Sequence, residues 1–243
     1  MTHLKNRDYF KLFINHTNEK KVTLIKLIEI IKPNKSKSFL DCGCGSGEYT
    51  IPLSNLFGKT IAFDVIDKIT ENLNGKINVK FVKSSLEDIK LVDKFDVILL
   101  SHVIFHTDET KWISILKKLL KSLSPDGKII IITHAIGSEW IEFMKEFCHK
   151  VSLRCPEGGK RIKDMLEKLK LNYKLHEIET KITSKSVDSM YNLCAFFFAD
   201  KKNEYFKLEK EVKDYLERFK KNNELVIQGK QSIFEIDNKP EHK

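Results

Sequence analysis

The chain lacks any run of 18 apolar residues, so no membrane-spanning helix is expected. Its opening residues, Met1-Thr2-His3-Leu4-Lys5-Asn6-Arg7-Asp8, lack the apolar segment of a secretory leader. No internal repeat is evident. Cysteines are few and odd in number: Cys42, Cys44, Cys148, Cys155 and Cys194. That set argues against a disulfide framework and for a reduced, cytoplasmic protein. Cys42 and Cys44 stand one residue apart inside a glycine-rich turn, which is poor geometry for zinc, and no metal site is expected.

What is present is positive charge and length. Lys and Arg number 43 against 34 Asp and Glu, a net charge of +9. Such a balance can mark a nucleic-acid binder. The lysines, however, are spread along the chain, and lysine, isoleucine and asparagine are all plentiful, as a compositional bias would produce. The densest cluster, Lys117-Lys118-Lys121, is interleaved with leucines and reads as a solvated helix face, so no nucleic-acid partner is expected. A chain of 243 residues can bury a sizeable core in one α/β domain. Strand-like and helical stretches alternate, which argues for a mainly parallel sheet covered on both faces.

Residues 37–50, Lys-Ser-Phe-Leu-Asp-Cys-Gly-Cys-Gly-Ser-Gly-Glu-Tyr-Thr, are the most informative stretch. An apolar strand from Ser38 to Leu40 runs into Asp41, and Gly43, Gly45 and Gly47 follow at alternate positions. Glycines after a strand let the backbone turn tightly and approach a ligand. Asp41 suits a cationic ligand group. The third glycine comes one residue early for a dinucleotide fingerprint, and Glu48 beside it would repel a pyrophosphate. A second strand, Thr60 to Phe63, ends at Asp64, which lies 17 residues after Gly47. An acid near that distance binds ribose hydroxyls in Rossmann-like folds; the plainer reading is an acid capping a strand. A third strand, Val79 to Val82, leads into Ser84-Ser85-Leu86-Glu87-Asp88. A fourth, Phe95 to Leu100, ends in Ser101-His102-Val103-Ile104-Phe105-His106. A helix carrying Trp112, Ile115, Leu116, Leu119 and Leu120 then leads to the turn Ser124-Pro125-Asp126-Gly127 and a fifth strand, Lys128 to Thr133.

Asp-x-Gly-x-Gly-x-Gly resembles the first motif of class I S-adenosylmethionine-dependent methyltransferases, and the segment after strand four and the Ser-Pro-Asp-Gly turn resemble later motifs in the same order. The resemblance implies a Rossmann-like, seven-stranded, mainly parallel sheet with helices on both faces, an N-terminal helical cap and C-terminal helical additions. It implies one domain over 1–243, with a cap at 1–35, a cofactor core at 36–136 and substrate-side helices and closing strands at 137–243. It further implies S-adenosylmethionine as cofactor, S-adenosylhomocysteine as product, and cofactor contacts from Asp41, Gly43, Gly45, Gly47, Asp64, Val65, Ser85, Leu86 and Ser101. Many members carry Asp where this chain has Ser85, which makes the adenine contact less selective.

Two outer segments are left to set the substrate. Residues 5–32 carry an aromatic patch and a helical stripe (Leu24, Ile25, Ile28, Ile31). The part after strand five carries Trp140, Phe143, Met144 and Phe147, then Ile162 to Leu169, a strand-like run from Tyr173 to Ile182, and the aromatic stretch 190–198. A helix bearing Tyr205, Leu208, Val212, Tyr215, Leu216 and Phe219 precedes a last strand, Ser232 to Ile236. These stripes read either as core or as a lid that excludes water. Phe13-Ile14-Asn15-His16-Thr17-Asn18-Glu19, with Gly137-Ser138-Glu139-Trp140, resembles the histamine N-methyltransferase family. That resemblance implies that Glu19 binds a cationic amine, that His102 contacts the substrate ring, and that Phe10, Phe13, Phe105, His106 and Trp140 line the pocket. His102 stands where that family has glutamine, and Phe105 and His106 where it has two tyrosines, so histamine itself is not the expected substrate.

The expectation is N-methylation of a small amine or imidazole compound by a monomer or weak dimer. An amine nucleophile must be neutral, and His102 or His106 could accept its proton; both could instead be backbone-bonding residues. Alternatives are an RNA or protein methyltransferase and a non-catalytic cofactor-binding module. Against the first, Ser101-His102-Val103-Ile104 is not the Asn/Asp-Pro-Pro-aromatic motif of enzymes that methylate nucleotide amines.

Overall fold

The computed structural model describes residues 6–73 and 78–237; of the leader segment read above, Met1 to Lys5 lie outside the described residues. Two helices, α1 (Asn6–His16) and α2 (Glu19–Ile31), precede the first strand, β1 (Ser38–Cys42). Then come α3 (Thr50–Ser54), β2 (Lys59–Asp64), α4 (Thr70–Leu73), β3 (Val79–Lys83) and β4 (Phe95–Ser101). They are followed by α5 (Trp112–Lys121), β5 (Leu123–His134), α6 (Glu139–Cys148) and α7 (Gly159–Lys168). The rest is β6 (Tyr173–Ser184), α8 (Val187–Cys194), α9 (Lys202–Lys207), α10 (Glu209–Leu216), β7 (Lys220–Lys221) and β8 (Glu224–Asp237).

The strand order is β3-β2-β1-β4-β5-β8-β6, and the two-residue β7 pairs antiparallel with β8. The strands β3, β2, β1, β4 and β5 pair in parallel. This is the Rossmann-like, mainly parallel sheet expected, with one short strand beyond the seven. β4 is buried along almost its whole length, as an apolar run covered on both faces must be. The chain steps from β1 out to β2 and β3, then returns to the other side of β1 with β4. Open α/β sheets take ligands at the strand carboxyl ends beside such a reversal.

Three local expectations changed. The Ser124-Gly127 turn lies inside β5: Leu123 pairs with Phe95 and Lys128 with Val97, so the extra residues form a bulge in the ladder. A methyl at Gly127 would sit 2.8 Å from the Phe95 carbonyl oxygen, so only glycine lets the bulge close. The helix expected through Tyr205 and Phe219 breaks at Leu208, whose φ of −95° and ψ of 15° leave the helical region. Tyr205 is stacked on Phe198 and Tyr191, with centroids 4.6 and 5.0 Å apart, and this packing outweighs helical continuity. Lys118 is not on a solvated face: its ammonium donates to the carbonyls of Leu86, Glu87 and Ile89 at 2.7, 2.9 and 3.3 Å. A lysine has three donors, and here each closes one carbonyl of the turn after β3.

The chain divides into two compact units. One comprises Met1–Thr23, His134–Gly158 and Glu177–Gln231; the other comprises Leu24–Thr133, Gly159–His176 and Ser232–Lys243. The core of the first is aromatic: Tyr9, Phe13, Trp140, Phe143, Phe147, Tyr191, Phe198 and Tyr205 are all buried. Most of the aromatic stripes are therefore core. The core of the second is mostly aliphatic, with Leu40, Ile98, Leu100, Ile129 and Ile131 from the sheet and Ile115, Leu116, Leu119, Ile162 and Leu166 from α5 and α7.

Candidate functional site

In the second unit, the glycine turn follows β1 directly. Gly43, Gly45 and Gly47 have φ values of +72°, +55° and +92°, a region that other residues rarely enter. At Gly43 the demand is also steric, because a methyl there would lie 2.2 Å from Cγ2 of Val103. The turn is tied to β2: the Gly43 and Cys44 amides donate to the Phe63 carbonyl at 2.8 and 3.1 Å. Asp64 completes the tie. Its Oδ2 accepts the Gly45 amide at 2.9 Å and its Oδ1 the Ile66 amide at 3.0 Å. Each oxygen keeps lone-pair capacity for a further donor, such as a ribose hydroxyl.

Asp41 lies within β1, not after it, and is buried, with the Thr50 hydroxyl donating to Oδ2 at 2.5 Å. It fixes the start of α3 beneath the turn. Val65 and Ile66, just past Asp64, expose apolar side chains to 58% and 53%. Leu86 is buried, and the Ser85 hydroxyl is engaged locally, donating to Asp88 Oδ2 at 2.7 Å. Ser101 Oγ is buried and has no hydrogen-bond partner among the described residues. An unsatisfied buried hydroxyl costs about 1–3 kcal/mol. Together the left-handed turn, the acid at β2, the exposed apolar pair and the orphaned hydroxyl fit a nucleoside cofactor at these strand ends.

Past Ser101 the backbone turns sharply. His102 has φ +54°, a strained value for a non-glycine residue, while its amide still donates to the Ile132 carbonyl at 3.1 Å. One 3-10 turn, Ile104–His106, follows, with the His106 side chain exposed. The Phe105 ring meets Trp112 edge-on at 5.3 Å, and the Arg161 guanidinium covers Trp112 at 4.5 Å.

In the first unit, the structure gathers most of the other expected residues. Phe13 packs on Phe196 and Phe197 at 5.3 and 5.0 Å, Phe10 on Phe196 at 5.4 Å, and Trp140 on Phe197 at 3.8 Å. Glu19 opens α2 and is 4% exposed. Its Oε2 accepts the Gln231 side-chain amide at 3.0 Å, and Lys20 lies 3.2 Å from Oε1. The same Gln231 amide nitrogen donates to His134 Nδ1 at 3.2 Å. Turning that amide over would set its oxygen against the carboxylate, so the hydrogen bonds fix its orientation. Burial holds the His134 imidazole below its usual pKa; Glu19 opposes that shift and Lys20 adds to it. A neutral imidazole accepting at Nδ1 carries its proton on Nε2.

Gln231 and His134 were missed in the sequence. His134 left a signal, a titratable side chain closing the apolar strand Ile129-Ile130-Ile131-Ile132-Thr133. Gln231 left none.

Residues 15–195 match the family described as a methyltransferase domain. A tRNA/tmRNA (uracil-C(5))-methyltransferase from Campylobacter hominis is 32% identical over 95 residues, which is 37% of this chain and 25% of that protein. The chain likewise spans 61% and 51% of the lengths of two further curated methyltransferases. Among solved structures, the YcgJ protein of Bacillus subtilis is similar with a TM-score of 0.65 at 15% identity, over 91% of this chain and 99% of that one. The N-methyltransferase NodS of Bradyrhizobium japonicum, solved with S-adenosylhomocysteine, is similar with a TM-score of 0.53 at 13% identity, over 91% and 86%.

Proposed function

The chain belongs to the methyltransferase domain family, and we propose that it methylates a nitrogen of a small amine or imidazole compound, with S-adenosylmethionine as donor and S-adenosylhomocysteine as product. Bound S-adenosylmethionine supplies an electrophilic methyl group on a sulfonium. Asp64 holds the ribose hydroxyls, Val65 and Leu86 offer apolar contact to the adenine, and Ser85 and Ser101 offer hydroxyls. The Gly43–Gly47 turn lets the backbone approach the ligand, and Asp41 acts from beneath it as a positioning residue.

The observation that carries the acceptor reading is the buried carboxylate of Glu19, bridged by Gln231 to a neutral imidazole. A buried carboxylate favours a cationic partner, and the Lys20 ammonium beside Oε1 supports that reading. A substrate ammonium would take that place and anchor one nitrogen. The reacting nitrogen must be neutral, so a histidine has to hold or accept its proton. His102 and His106, at the end of β4, are the candidates for that role; His134, held neutral by burial and with Nδ1 already accepting from Gln231, is not. On the first unit, Phe10, Phe13 and Trp140 supply apolar surface that keeps water out.

The test combines calorimetry and kinetics. S-adenosylhomocysteine should bind at micromolar levels, and no binding would end the cofactor reading. Glu19→Gln should raise the KM for a diamine roughly tenfold, the loss of one charge-assisted hydrogen bond, while sparing affinity for S-adenosylhomocysteine. An unchanged KM would remove Glu19 from the substrate site. RNA is the second reading, favoured by the net charge of +9 and the partial match to a tRNA/tmRNA enzyme. It requires RNA binding that weakens steeply with salt.

A further inference from the structure

Helix α6 ends in a turn that brings two cysteines and a histidine together. The Leu153 amide donates to the Cys148 carbonyl at 2.8 Å and the Ser152 amide to the His149 carbonyl at 3.2 Å, with Ser152 left-handed at φ +55°. This nested pair of bonds is a Schellman termination, here made by serine in the position usually held by glycine. It reverses the chain, and Cys155 returns to the helix end, its thiol 3.9 Å from the Lys145 carbonyl. Cys155 Sγ then lies 3.2 Å from His149 Nε2, and Cys155 is near enough to Cys148 to raise its thiol pKa. Cys155 is half-buried, His149 is exposed and Cys148 is buried. Methyl transfer as proposed above uses none of the three.

We propose that Cys155 is a site of thiol oxidation by hydroperoxides, with His149 as its base and Cys148 as its disulfide partner. His149 takes the Cys155 proton. The thiolate attacks one peroxide oxygen, the O–O bond breaks, and the leaving oxygen picks up the proton held by His149. Cys155 becomes a sulfenic acid and the peroxide an alcohol or water. The Cys148 sulfur then attacks the sulfenic sulfur; the S–O bond breaks and water leaves with the Cys148 proton. Two thiols and one hydroperoxide give one disulfide, one alcohol and one water. Contact before reaction favours this pairing over any other, since the approach is intramolecular.

Their surroundings set the order of events. Burial, then the neighbouring Cys155, push the Cys148 thiol up to about 12, so Cys155 is the sulfur that reacts first. Burial likewise raises the thiols of Cys42, Cys44 and Cys194 and keeps them out of the chemistry.

The experiment treats the reduced full chain with hydrogen peroxide and maps the products by peptide mass. The expected result is a Cys148–Cys155 crosslinked peptide, restored by dithiothreitol, with the other three cysteines still alkylatable after unfolding. In Cys148→Ser, Cys155 should instead be trapped as a sulfenic acid by dimedone. Exposed His149 can be replaced without loss of core, and His149→Gln should slow the oxidation of Cys155 by hydrogen peroxide about tenfold. Oxidation falling first on another cysteine, or no crosslink between this pair in the wild-type chain, overturns the proposal. An unchanged oxidation rate in His149→Gln removes the histidine from it.

Discussion

At His134, burial disfavours the imidazolium, so the folded chain binds a proton less readily than the unfolded one, whose histidine titrates near 6.5. The folded pKa is the lower of the two. Its contribution to stability is therefore fully present above pH 6.5 and is lost as pH falls toward the folded value. Urea midpoints of the wild type and His134→Gln, taken from pH 8 downward, should converge as the solution turns acidic. Parallel curves would show that the imidazole is not held neutral. The same residue shows what could be read in advance. Gly43 and Asp64 could be, because a strand, a tight turn and an acid one strand later are local chemistry repeated in order. The bond from Gln231 to Glu19 could not, because it joins side chains 212 positions apart and depends on where β8 lies in the sheet.

Among the elements, α5 follows most directly from its pattern. Trp112, Ile115, Leu116 and Leu119 recur at helical spacing, and all four are buried. Leu119 is fully enclosed, whereas Leu120 is half-buried beside it. Leu119→Ala should cost about 2–5 kcal/mol by lost burial and a residual cavity. Leu120→Ala should cost clearly less in the same urea titration; equal losses would mean that the helix faces another way. Elements went unread where long-range packing overruled local signals. Pro125 and Gly127 signalled a turn, but the Phe95–Leu123 pairing absorbs it as a bulge in β5. No glycine or proline marks the break at Leu208; it follows from how Tyr205 stacks.

For the whole molecule, ligand linkage gives the broadest check. A ligand that binds only the folded chain stabilises it by about 2.7 kcal/mol at a hundredfold excess over Kd. S-adenosylhomocysteine at that excess should raise the Tm, and adenosine alone should raise it less. No shift with either compound would mean a methyltransferase fold without a working cofactor site. The strand order has a further consequence, for how the chain is made. β8 stands between β5 and β6, although it follows both in the sequence. On a ribosome, β5 and β6 emerge before the strand that separates them. Until translation reaches residue 237, each carries an unpaired edge that another nascent chain could occupy. Slow synthesis of β8 would lengthen that exposure, and protection by a holdase chaperone would matter most over that interval.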